Sequence, residues 1–155
     1  MPHPRIPDGA ALVLTHGQRT ALEAFYGALG RRDVNLLDGA TTPDWEDIPL
    51  APGQGPGPEG AKPVFRMLLT AFPDLVVEIV DVLAERDRAA VRARVSATHA
   101  GPLFGVPASG RRVAFVLHEF HDFEGDRLRR TWHLEDLFGL FSQAGAFPAL
   151  PGRQG

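Results

Sequence analysis

The chain has 155 residues, none of them cysteine, and a formal net charge of −3 from 16 basic and 19 acidic residues. This is the length of one domain, and a hydrophobic content of 44% excludes a wholly disordered chain. Without cysteine, the chain has no disulfide, thiolate metal ligand or catalytic thiol. The near-balanced charge gives no electrostatic reason to bind nucleic acid or an anionic membrane.

Neither a membrane span nor a secretory signal is predicted, so we expect a cytoplasmic protein. No apolar run approaches the ~20 residues of a spanning helix, and the start MPHPRIPDGA lacks the apolar segment of a secretory signal. The first 14 residues contain three prolines and predict a loose N-terminal arm. We therefore predict an arm at 1–14, a single domain at 15–148 and a tail at 149–155.

In the first half of the domain, the sequence pattern predicts helices. Thr15 and Gln18 have the spacing of a capping box, and the apolar stripe after them predicts a helix that ends near Arg31. Lys62 is the only lysine, so Schiff-base chemistry would depend on it alone, and we discount that chemistry. The other predictions for this half are a short helix at 33–39, a Pro/Gly-rich loop or lid at 40–60, and a helix at 60–71.

After residue 74 the hydrophobic period changes from 3.6 to 2, which predicts strands. Glu124 and Gly125 fit a two-residue hairpin turn. An α+β fold follows, with helices on one face of an antiparallel meander. The predicted elements are strands at 75–85, 88–99, 112–123 and 127–135, and a terminal helix at 136–144.

The turn decides which side chains of the last hairpin face one another. With Glu124 and Gly125 as the turn, Glu119 opposes Arg130. Apolar and ionisable side chains then share one face, and a half-apolar pocket with convergent acid and base groups would accommodate them. A three-residue turn would bring His118 inward instead of His121. The predicted face comprises Phe115, Leu117, Trp132, Leu134, Glu119, His121, Arg130 and Asp136.

Asp136 has two interpretations that the sequence leaves open. It could be a general acid/base whose pKa is raised by apolar neighbours, or the N-cap of the terminal helix. His121 could relay a proton, or it could be a solvent-facing strand histidine. Glu119 and Arg130 are most simply a cross-strand ion pair.

Three further residues could line a pocket. His99 ends the apolar face of its strand, where it could lie at a pocket rim or serve a structural role. Trp45 and Trp132 are aromatic walls if a pocket exists and core residues otherwise. No metal site is expected, because His118 and His133 are predicted on the face opposite His121.

Several segments, in this order, resemble the SnoaL-like polyketide cyclases. They are FPDL at 72–75, THAG at 98–101, GRRV at 110–113, Trp132, and DLFGLFSQAG at 136–145. The resemblance covers about residues 18–148, with departures at Glu124, Asp126 and Ala144. It implies the cone-shaped fold of the nuclear-transport-factor-like proteins. In that fold a curved antiparallel sheet wraps around helices and leaves a cavity, and homodimers form through the outer face of the sheet.

The resemblance also implies a function. In such cyclases an Asp at the position of Asp136 is the acid/base, and a histidine matching His121 lies in the pocket. The reaction is an intramolecular aldol closure of a hydrophobic carbonyl compound that uses no cofactor and no metal. A non-catalytic small-molecule binder is the alternative, as is an isomerase or dehydratase that uses the same pocket. The remaining residues predicted to bind substrate are His99, Trp132, Glu119, Arg130, Leu117, Phe115 and Trp45.

Overall fold

The structure is a computed structural model that describes residues 3–8 and 13–147. No helix in these ranges is long and apolar enough to cross a membrane. The elements are α1 His16–Gly30, α2 Leu36–Ala40, β1 Thr41–Ile48, α3 Gly57–Ala71, β2 Val76–Glu85, β3 Arg88–Thr98, β4 Arg112–Glu124, β5 Arg127–Glu135 and α4 Leu137–Gln143. The strands form one five-stranded sheet in the order β1-β5-β4-β3-β2, and the predicted α+β class is confirmed.

Helix α1 begins at the predicted capping box. The backbone N–H of Gln18 donates to Oγ1 of Thr15 at 3.0 Å, and the N–H of Thr15 donates to Oε1 of Gln18 at 3.0 Å. The helix then turns the buried side chains of Leu22, Phe25 and Tyr26 toward the core. This stripe places a tyrosine hydroxyl against the inner face of the sheet, where it must find a hydrogen-bonding partner.

Strand β1 lies where a loop was predicted, and it runs parallel to β5 at the edge of the sheet. Asp47 pairs with Thr131, and Ile48 pairs with Trp132. An edge strand tolerates Pro43, because one side of such a strand makes no ladder and needs no N–H. The sheet is therefore mixed, whereas the sequence predicted a wholly antiparallel one.

The hairpin between β4 and β5 differs from the prediction in two ways. Its turn residues are Gly125 and Asp126, one position later than predicted. In addition, the pairing shifts by one residue at Arg129, which stands as a β-bulge between Leu128 and Arg130. Together, the later turn and the bulge change which residue of β5 pairs with each residue of β4, so the predicted register is wrong.

The bulge exchanges the inward-facing and outward-facing side chains along the rest of β5. On β4 the predicted alternation is confirmed, with Glu119 and His121 buried and His118 exposed. On β5, however, Glu119 faces His133 and not Arg130, which lies outside. The inner side chains of β5 after the bulge are Thr131, His133 and Glu135, and the outer ones are Arg130, Trp132 and Leu134.

The N-terminal arm packs on the domain over its described part. Ile6 is buried and belongs to the core, and the ring of Pro4 lies against Gly30 of α1. Residues 3–8 are therefore not the loose segment that was predicted. The predicted tail at 149–155 lies outside the described residues.

Helix α4 completes the sheet where β5 ends. The last pair between β4 and β5 joins Leu117 to Glu135, so within the described residues no strand pairs with the first part of β4 on that side. The side chain of Gln143 takes the place of a strand. Its Nε2 donates to the carbonyl of Ala114, and its Oε1 accepts from the N–H of the same residue, both at 2.8 Å.

We expect Gln143→Ala to lower the free energy of unfolding by about 1–2 kcal/mol, because it removes two hydrogen bonds to β4. Gln143→Glu keeps the acceptor but loses the donor and should lose less. Urea denaturation of the three proteins measures the effect. An alanine variant as stable as the wild type would show that the amide does not hold α4 on the sheet.

Candidate active site

A cluster of buried polar side chains lies between α1 and the inner face of the sheet. The hydroxyl of Tyr26 donates to Oε2 of Glu119 in a short hydrogen bond, and it lies 2.9 Å from Nε2 of His121. Glu119 is 7% exposed and His121 is 1% exposed. We call this group, together with Thr131 and Trp45, the Glu119 cluster.

Two further contacts extend the cluster to β5 and β1. Nδ1 of His121 lies 2.9 Å from Oγ1 of Thr131, and the indole N–H of Trp45 donates to the same oxygen at 3.0 Å. Thr131 reaches this position because the bulge turns it inward. An unbroken series of hydrogen bonds therefore connects Trp45 to the carboxyl of Glu119.

Burial sets the protonation of the cluster. Desolvation raises the pKa of Glu119 to about 7, against the hydrogen bond from Tyr26, which lowers it. Desolvation lowers the pKa of His121 to about 3, so its ring is neutral. Burial, together with the adjacent Glu119, raises the pKa of Tyr26 well above its usual value. Glu119 is thus the member that can exchange a proton near pH 7.

A second group, formed by His133, Glu135 and Asp47, lies on the more exposed side of Glu119. Nδ1 of His133 lies 2.7 Å from Oε1 of Glu135, and Nε2 lies 2.7 Å from the carbonyl of Pro49 and 3.5 Å from Oδ1 of Asp47. Desolvation lowers the pKa of His133, but Glu135 and Asp47 outweigh it and raise it to about 9. The charges of this group act in turn on Glu119: Glu135 and Asp47 raise its pKa, and His133 lowers it.

Asp136 lies outside this site. Its side chain is exposed, and its Oδ1 accepts the backbone N–H of Gly139 at 2.9 Å at the start of α4. The prediction that Asp136 lies inside a pocket is wrong. After the bulge Glu135 is the last residue of β5 on the inner face, and Asp136 follows it outside. The alternative interpretation as a helix N-cap is confirmed.

The remaining predicted residues lie apart from Glu119 or in the core. His99 is eight residues along β3 from Val91, the partner of Glu119, which is roughly 26 Å at 3.3 Å per residue. It is buried, and its Nδ1 accepts the N–H of Ser109 at 3.3 Å. Arg130 binds Glu46 at 3.1 Å on the outer face. Its guanidinium covers the ring of Trp132 there, whereas Phe115 and Leu117 are buried inside as predicted.

Five members of the two groups were not predicted: Tyr26, Asp47, Thr131, His133 and Glu135. One signal was present in the sequence. Arg129 and Arg130 are adjacent charged residues in a strand that otherwise alternates, and only a bulge places both outside. Among residues 3–8 and 13–147, no group of three or more His, Asp and Glu side chains is arranged to hold a metal ion.

The raised pKa of Glu119 predicts a pH dependence of stability. Between about pH 4.5 and 7 Glu119 has lost its proton in the unfolded chain but still holds it in the folded chain, so the contribution of Glu119 to stability falls as the pH rises through this window. Burial lowers the pKa of His121 and makes its contribution change in the opposite direction. The effect of Glu119 is therefore the difference in stability between the wild type and Glu119→Gln, which should change by on the order of 3 kcal/mol. Urea denaturation at pH 4.5 and pH 8 measures it.

Glu78→Gln is the matched control, since Glu78 is exposed on β2 of the same sheet. This variant should follow the wild-type pH curve. If the Glu119→Gln and wild-type curves run parallel, the carboxyl of Glu119 is not perturbed in the folded protein.

Comparisons with known proteins agree with this architecture. TsrD from Streptomyces laurentii is 30% identical with a TM-score of 0.79, covering 86% of this chain and 99% of that one. AclR from Streptomyces galilaeus is 27% identical with a TM-score of 0.72, covering 88% and 89%. A SnoaL-like polyketide cyclase from Agrobacterium tumefaciens, at 24% identity and a TM-score of 0.65, covers 80% and 97% and shares the fold.

Among curated proteins, no significant match was found. The family described as SnoaL-like polyketide cyclase matches residues 19–144, which include α1 after its first three residues, all five strands and α4 up to its C-cap. The match therefore spans the sheet and every residue of the Glu119 cluster. On this evidence, the chain belongs to the SnoaL-like polyketide cyclase family.

Proposed function

We propose that the protein is a cytoplasmic, cofactor-independent acid/base enzyme of the polyketide cyclase type, and that Glu119 is its acid/base. The observation that carries the proposal is a buried carboxyl with a pKa of about 7 that accepts a hydrogen bond from Tyr26. Membership of the family supports a hydrophobic carbonyl compound as the substrate class. His121, which we predicted to be catalytic, acts in this proposal through Tyr26 as a positioning residue.

The proposed reaction is an intramolecular aldol closure. Ionised Glu119 removes a proton from a carbon next to a carbonyl, and the C–H electron pair forms an enolate. The enolate carbon then attacks a second carbonyl carbon of the same molecule, and the resulting alkoxide takes the proton from Glu119. Glu119 returns to its ionised form, so the reaction consumes no other reagent.

The surroundings of the two carboxyls favour Glu119 over Asp136 for this role. Asp136 is exposed and accepts a backbone N–H at the start of α4. Its carboxylate therefore caps a helix at the surface and does not face an apolar site. Glu119 is largely withdrawn from water, and a base whose pKa lies near the working pH is the more effective one.

We expect Glu119→Gln to abolish proton exchange with a carbon acid. The probe is 2-tetralone in D₂O, an aromatic ketone with acidic C–H bonds, and NMR follows the loss of these protons. General bases contribute typically 10²- to 10⁴-fold, so the loss should be at least about 100-fold. The wild-type rate should rise as Glu119 ionises near pH 7.

Asp136→Asn is the control variant. It should exchange within about twofold of the wild type and stay within about 0.5 kcal/mol of its stability, because asparagine caps a helix about as well as aspartate does. The reverse result, with Asp136→Asn inactive and Glu119→Gln active, would assign the chemistry to Asp136. A wild type that binds the ketone without exchange would indicate a binding protein.

The outer face of the sheet supports a homodimer. Leu83, Phe120 and Leu134 are 71%, 61% and 74% exposed. Leu83, Ala90, Phe120 and Trp132 pair in one row across β2, β3, β4 and β5, beside a cleft of about 580 Å³. An apolar row of this kind is typical of an interaction surface.

We expect Phe120→Glu to convert a dimer to a monomer, because a charge would be buried at the centre of the row. Size-exclusion chromatography with light scattering gives the mass of each species. Val13→Glu, at a side chain that is 56% exposed and off the sheet, should remain dimeric. A monomeric wild type at high concentration would contradict the proposal.

A further inference from the structure

The hydrogen bonds of the Glu119 cluster fit together when Glu119 is ionised. An ionised carboxylate only accepts, so Tyr26 donates to it, and the oxygen of Tyr26 accepts from Nε2–H of His121. Nδ1 of His121 is then an acceptor and takes the hydroxyl hydrogen of Thr131. The indole of Trp45 can only donate, and it donates to Thr131.

The same contacts also fit together in the opposite direction when Glu119 is protonated on Oε2. Glu119 then donates to Tyr26, and Tyr26 donates to Nε2 of His121. The ring hydrogen now lies on Nδ1 and points to Oγ1 of Thr131. A hydroxyl oxygen has two lone pairs, so Thr131 accepts from His121 and Trp45 together while its own hydrogen turns away from the ring.

These two arrangements differ in the tautomer of His121. We propose that Tyr26 couples the proton on Glu119 to the tautomer of His121, and that Thr131, held by Trp45, is the positioning residue that pairs with Nδ1 of His121 in both tautomers. Glu119 gains one proton, from the substrate carbon during turnover or from water in the substrate-free protein. His121 releases its Nε2 hydrogen to water and takes one hydrogen from water at Nδ1, so the ring keeps one hydrogen and stays neutral. The proposal rests on Glu119 as the acid/base and adds how the cluster accommodates its proton.

The coupling keeps the buried cluster free of an additional charge. His121 is neutral in both arrangements, as its burial requires, and the contacts from Thr131 to Glu119 are hydrogen-bonded in both. Protein dipoles that are already in place reduce the reorganisation that proton transfer requires. The titratable groups that face Glu119 are Tyr26 on α1, His121 on β4, His133 and Glu135 on β5, and Asp47 on β1.

NMR of the full-length protein tests the proposal without any substrate. ¹⁵N-labelled histidine reports which ring nitrogen of His121 carries hydrogen, and ¹³C-labelled glutamate reports the ionisation of Glu119. We expect the His121 hydrogen to lie on Nδ1 at low pH and on Nε2 at high pH, with the same midpoint as the Glu119 carboxyl. A single tautomer across the titration, or a midpoint unrelated to that of Glu119, would overturn the proposal.

Variants of Thr131 separate positioning from packing. Thr131→Val keeps the shape of the side chain but removes the hydroxyl that accepts a hydrogen on Nδ1 of His121. The ring should then keep its hydrogen on Nε2, so the tautomer of His121 should no longer follow Glu119. Thr131→Ser should restore the coupling. Coupling that persists in Thr131→Val would also refute the role of Thr131. Tyr26→Phe removes the hydroxyl that contacts both Glu119 and His121. In this variant Glu119 should titrate while the tautomer of His121 does not change.

This result is independent of the test of the proposed reaction. If Glu119→Gln still exchanges the ketone protons while the NMR coupling is present, the reaction is wrong and the coupling stands. If Glu119→Gln is inactive while His121 keeps one tautomer in the wild type, the reaction stands and the coupling is wrong.

Discussion

Arg129 stands as an extra residue between Leu128 and Arg130, and its insertion turns the whole of β5 after it. Leu128 and Thr131 are both buried as a result, while the two arginines between them reach Glu46 on the outer side. Strict alternation would direct Arg130 into the core, where an arginine without a partner costs several kcal/mol. The bulge removes that cost, and the same displacement builds the inner face on which Glu119 lies.

The Glu119 cluster in turn depends on four elements at once. A buried carboxyl must be hydrogen-bonded, and here the donor comes from α1, the next group from β4, and the last two from β5 and β1. A buried network of this kind favours one arrangement of its helix and strands, because any shift leaves a polar atom unpaired. The hydrogen bonds that position Glu119 therefore also fix the packing of α1 on the sheet.

The sequence predicts what depends on local spacing and fails where pairing is distant. The capping box of α1 and the alternation of β3 and β4 were readable because each involves residues within a few positions. Strand β1 was missed because its partner lies more than 80 residues away, and Pro43 argued against a strand. The inner residues of β5 were missed because a bulge is one residue long. Only the adjacent arginines indicated it.

The same error explains why Asp136 was predicted to face a pocket, the position in which the family resemblance implied an acid/base. Strict alternation along β5 places Trp132, Leu134 and Asp136 together, which would surround a carboxyl with apolar walls. In the structure the buried carboxyl is that of Glu119 on the neighbouring strand β4. Asp136 is exposed and caps α4. A carboxyl acquires a raised pKa from burial with few compensating donors, so the residue to test is the one that the register buries.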